Sequence, residues 1–141
     1  MGLHPGGRDV VWTFKNLLAI GLFLFGTTFL WMTAAFAGRT PPPTGVAWTV
    51  VNVLALVALT GFTIVAWGVL KGYSWWPTIA FLSSIVGLAT VVPFTIGLRQ
   101  IDAAFADLGL QINLWMHILG SAAVISIVRL PVVRDWVMQR L

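Results

Sequence analysis

The chain of 141 residues contains no cysteine and no glutamate, and its only acidic side chains are four aspartates. Without cysteine there is no disulfide framework, no thiolate nucleophile and no cysteine metal site, and cysteine usage says nothing about redox compartment. Charge of either sign is scarce, at 9% of residues, where soluble domains carry roughly a quarter. A water-soluble fold of this length could not cover its surface with so few charges. Histidine is nearly absent as well: His4 lies in the N-terminal tail and only His117 falls in an apolar run. A membrane haem with two axial histidines is therefore excluded, and so is zinc, which needs three or four nitrogen, sulfur or oxygen ligands. None of the aspartates falls within a predicted span, so the intramembrane carboxylate that a proton-coupled exporter titrates is missing. Phosphate-binding loops and catalytic serine motifs are also missing. "HPGG" at 4–7 opens no helix after a strand and reads as a flexible tail.

What the chain does have is apolar length. Hydrophobic residues make up 59% of it and its mean hydropathy is +0.95. At about 20 residues per crossing, this length suits four transmembrane helices in one domain, 1–141, with no internal repeat or linker. Charges and prolines mark the ends. Helix 1 is predicted over about 12–37, where "NLLAIGLFLFGTTFLWMTAAFAG" runs uncharged between Lys15 and Arg39. The three consecutive prolines of "RTPPPTG" lack amide hydrogens and favour extended backbone, which stops the helix. Helix 2 follows over about 46–70. "KGYSWWP" is a tight loop that sets Pro77 in the first turn of helix 3, about 75–97. Ile101, Phe105, Leu108 and Ile112 then recur at helical spacing between Asp102 and Asp107, as in an amphipathic segment that lies at the interface or extends helix 4. Helix 4 proper spans about 111–130, and "PVVRDWVMQRL" is a short basic amphipathic tail. The expected fold is an all-α integral membrane protein, a four-helix bundle. "AFAG" at 35–38 resembles a signal-cleavage site, but the apolar stretch from Leu17 to Ala37 exceeds the roughly 7–15 residues of a signal core, so helix 1 is expected to remain.

The positive-inside rule sets the orientation. With the N-terminus in the cytoplasm, Arg8, Lys15, Lys71, Arg129, Arg134 and Arg140 face inward and only Arg39 and Arg99 face outward, so both termini are expected to be cytoplasmic. All eight tryptophans fall near predicted helix ends, in one interfacial belt or the other. A pI near 10.8 comes from basic residues that serve topology rather than from a concentrated basic face, so nucleic acid is not expected as a partner.

The candidate site follows from depth and face. His117 lies six residues beyond Gln111, about 9 Å into the outer leaflet at 1.5 Å per residue, and Asn52 lies at similar depth on helix 2. Asn113, His117, Gly120, Ser121 and Val124 share one face of helix 4. Thr49, Asn52, Leu56, Thr60 and Thr63 form a stripe on helix 2, and Ser83, Gly87, Thr90, Phe94 and Gly97 one on helix 3; all three faces are expected to turn inward. Such stripes serve helix packing, since small residues allow close approach and polar ones bond across helices. An ionisable group inside a membrane is also, by default, a site candidate. His117, Asn52, Asn113, Ser121 and Arg99 are therefore the candidate ligand-binding residues, with no catalytic set, no metal ligands and no specified cofactor.

Three functions suit these features. The first is a non-catalytic accessory or assembly subunit of a larger membrane complex, which accounts for the missing catalytic set. The second is a homo-oligomeric transporter or channel lined by the Asn52 and His117 faces. The third is a lipid- or quinone-binding protein or enzyme with His117 in its pocket. The bilayer itself, further copies of the chain and other membrane subunits are the expected partners.

Overall fold

The computed structural model describes residues 13–101 and 107–141. The expectations placed on His4, the 4–7 tail, Arg8, Trp12, Asp102 and Phe105 lie outside these residues. Five helices and no strand occur among the described residues: α1 (Phe14–Thr28), α2 (Val46–Lys71), α3 (Trp76–Gln100), α4 (Leu108–Arg129) and α5 (Pro131–Met138). Four stretches are long and apolar enough to cross a membrane, namely Phe14–Met32, Val46–Lys71, Trp76–Gln100 and Leu108–Arg129. The chain thus has the make-up of a multi-pass membrane protein.

Local chemistry sets the helix ends. Thr13 caps α1, its hydroxyl accepting the Asn16 amide at 3.2 Å. α2 ends at Gly72, whose φ of 70° is left-handed; its amide reaches the Val69 carbonyl at 3.1 Å and the Tyr73 amide reaches the Gly68 carbonyl at 2.9 Å. This Schellman-type stop reverses the chain within a few residues, and Pro77 then stands in the first turn of α3, where no amide hydrogen is needed. α4 starts at Leu108 rather than near 111 because Asp107 accepts the amides of Gly109 (2.9 Å) and Leu110 (3.2 Å). Of the amphipathic segment, Leu108 and Ile112 lie on α4, whereas Ile101 closes the end of α3. α3 likewise continues past the expected 97 to Gln100.

The larger departure is in helix 1. Its α-helix stops at Thr28 rather than reaching 37, passes into a 3-10 turn over Phe29–Met32, breaks at Thr33 (φ −70°, ψ 158°) and makes a second 3-10 turn over Ala34–Phe36. Three threonines bond locally along this stretch. The hydroxyls of Thr27, Thr28 and Thr33 donate to carbonyls three residues back, at 2.7, 2.6 and 2.7 Å, and compete with the helical amides for them.

Side-chain volume sets the packing of α2 on α3. Gly97 leaves a recess for the Trp48 indole; a Cβ there would lie 2.8 Å from Trp48 Cε2. Trp48, in the first turn of α2, is only 1% exposed and stands edge-on to Phe94. The helix 3 and helix 4 stripes face inward as expected, with Ser83, Gly87, Thr90, Phe94 and Gly97 buried on α3 and Asn113, His117, Ser121 and Val124 buried on α4. The helix 2 stripe does not. Thr49, Leu56, Thr60 and Thr63 are exposed, and the buried face is Trp48, Val51, Ala55, Ala58, Phe62, Val65 and Val69. Each of those threonines donates to a carbonyl of its own helix one turn back, at 3.1, 2.8 and 2.9 Å. A threonine satisfied in this way needs no neighbouring helix, so its polarity does not mark an inward face. The basic tail forms α5, tied to the start of α1 by an edge-on contact between Trp136 and Phe14 at 5.6 Å.

Candidate functional site

The polar residues of α2 and α4 converge on the irregular stretch that follows α1. Where the α-helix gives way to 3-10 turns, backbone groups lose their usual partners. In an apolar surround each unpaired amide or carbonyl costs several kcal/mol, so such backbone survives there only when protein covers and bonds it. Side chains from other helices supply the bonds. Asn52 Oδ1 accepts the Ala34 amide at 3.0 Å, and Asn113 Nδ2 donates to the Trp31 carbonyl at 2.8 Å. His117 Nε2 lies 3.2 Å from the Thr28 hydroxyl. Three helical residues distant in sequence therefore hold one segment from two sides.

His117 is fully buried, at 0% exposure. Its Nδ1 lies 2.7 Å from the Asn113 carbonyl one turn back, and since a carbonyl only accepts, Nδ1 carries a hydrogen and donates. The ring stands against Phe29, with centroids 4.4 Å apart at 64°, and near Phe25 at 6.1 Å. The Thr28 hydroxyl has one hydrogen and two acceptors in reach, Nε2 at 3.2 Å and the Phe25 carbonyl at 2.6 Å. The histidine is thus walled by aromatic rings, with Nδ1 bonded to its own helix and Nε2 facing the Thr28 hydroxyl.

The other candidate residues separate. Ser121 is fully buried on the same face of α4, and its hydroxyl has no hydrogen-bond partner among the described residues. Asn52 reaches the irregular segment from α2, and among the described residues no hydrogen bond joins it to Asn113 or His117. Arg99 is exposed in the last turn of α3, and no bond among the described residues connects it to the other four. Among the described residues, no three histidine or aspartate side chains gather as a metal-binding group.

Beside Asn113 the irregular segment and the head of α4 leave a cavity of about 270 Å³, lined by Trp31, Phe36, Ala37, Gly38, Asp107, Gly109, Leu110 and Asn113. Asn113 is 7% exposed, and its Oδ1 is buried without a partner among the described residues. Sequence reasoning singled out Asn113 but missed the site roles of Trp31 and Asp107, which line the cavity, and of Thr28, which faces His117. An aspartate directly before a helical apolar run, and three threonines within seven residues near a span's end, were the available signals. With the geometry in view, comparison adds no relative: no protein-family model, curated protein or solved structure matches this chain.

Proposed function

We propose that this chain is a small non-catalytic polytopic protein of the cell membrane, with both termini cytoplasmic, that serves as an accessory or assembly subunit of a larger membrane complex. One observation carries the reading: the ionisable ring in the bundle is sealed at 0% exposure, and both of its nitrogens face groups of the chain itself. A ring so placed holds helices in position and reaches no substrate. The six-to-two division of basic residues supports the orientation. The outer face of α2 suits a partner helix, because Leu56, Val57, Thr60, Gly61 and Ile64 line a shallow apolar groove.

Photo-crosslinking tests this directly. A photoreactive residue at Val57 or Thr60 in native membranes should give a discrete adduct with a second membrane protein, identified by mass spectrometry. Crosslinks to lipid alone, from a protein that purifies as a stable monomer, would remove the subunit reading. An adduct between two copies of the chain would favour the homo-oligomeric transporter instead.

A further inference from the structure

We infer that the cavity at the head of α4 binds a primary ammonium group carried by an amphiphile. The inference stands apart from the subunit reading and rests on the cavity's lining. Asn113 lines the cavity, and its buried carbonyl oxygen has no partner among the described residues; an unpaired acceptor of this kind is costly until a donor reaches it. Asp107 adds a carboxylate at the exposed rim that forms no ion pair among the described residues. Its Oδ1 accepts the Gly109 and Leu110 amides, while its Oδ2 takes part in no hydrogen bond among the described residues.

The same arrangement argues against an anion. The head of a helix attracts negative charge through its free amides, but here Asp107 already occupies two of them and contributes its own negative charge. The polar lining described therefore offers acceptors and a negative charge, and calls for a ligand with positive charge and N–H donors. Trp31 and Phe36, both about half exposed, give aromatic walls that favour a cation and the apolar body behind it. A volume of about 270 Å³ holds a headgroup rather than one water, whose share of liquid is about 30 Å³. Arg39, exposed and next along the chain from Gly38, forms no ion pair among the described residues. A phosphate beside the ammonium would therefore find a free cation close by in sequence. Two sources share this chemistry, a phosphatidylethanolamine headgroup and a free organic amine.

The experiment uses the purified full-length protein in mild detergent. Native mass spectrometry after incubation with equal amounts of phosphatidylethanolamine, phosphatidylcholine and phosphatidylglycerol should show the first retained about tenfold better, a difference of about 1.4 kcal/mol. The methylated ammonium of phosphatidylcholine has no N–H to donate, and phosphatidylglycerol brings an unmatched negative charge. In parallel, phenethylamine is titrated by calorimetry. Saturable phenethylamine binding without lipid preference would support the ammonium site and assign it to a soluble ligand. Asp107→Asn keeps the capping oxygen and removes the charge, so it should abolish the preference with an unchanged melting temperature. Trp31→Leu should weaken binding severalfold while leaving the backbone carbonyl that Asn113 uses. Equal retention of the three lipids with no amine binding, or unaltered binding by Asp107→Asn, would overturn the inference.

Discussion

Removing the Asn52 side chain strips the Ala34 amide of its acceptor, whereas removing the His117 ring leaves no neighbour without a second partner. The Asn113 carbonyl also receives the His117 backbone amide in the α-helical pattern, and the Thr28 hydroxyl keeps the Phe25 carbonyl. Asn52→Leu should therefore lower stability by about 1–3 kcal/mol, the cost of an unsatisfied buried donor. His117→Gln should cost at most about 1 kcal/mol, since an amide can replace one hydrogen bond and interhelical bonds in lipid are individually modest. Denaturant unfolding in detergent checks the order, and a greater loss for His117→Gln would mean that the ring contributes something beyond its hydrogen bonds. The helical period alone placed Asn113, His117 and Ser121 on one buried face. What Asn113 touches was hidden, because the Trp31 carbonyl became available only where another helix stopped being α-helical.

At the scale of elements, the legible features were those governed by composition. Four apolar spans, the stop at Gly72 and the start at Pro77 follow from hydropathy, glycine and proline, whose effects are local. The end of helix 1 was not legible, since nothing breaks the apolar run from Leu17 to Ala37; its α-helix ends where hydroxyls compete for carbonyls and distant asparagines make the alternative affordable. The inward face of α2 was misread for a related reason, as threonine polarity is spent within its own helix. The head of α4 gives an element-level prediction. Asp107→Ala should lower stability by about 1 kcal/mol through loss of the N-cap, whereas Asp107→Asn should leave it nearly unchanged because asparagine caps equally well. Thermal unfolding of the two variants side by side separates the capping oxygen from the carboxylate charge; equal losses would show that the charge, not the cap, steadies the helix.

For the whole molecule, the proposed orientation places the α1–α2 connection and the head of α4 outside and α5 inside. A reporter fused to the C-terminus should read as cytoplasmic, and one inserted at Thr44 as external. The reverse result would move the cavity beside Asn113 to the cytoplasmic leaflet. The bonds that hold the segment after α1 also impose an order on the molecule's birth. Asn52 follows Ala34 by 18 residues, but Asn113 follows Trp31 by 82 and His117 follows Thr28 by 89. At about 5–20 residues per second, a ribosome needs roughly 4–16 s to make the asparagine that covers the Trp31 carbonyl. Of the four described spans, the first to leave the ribosome is therefore the last to be completed. In the proposed membrane insertion, the Trp31 carbonyl stays uncovered until α4 arrives.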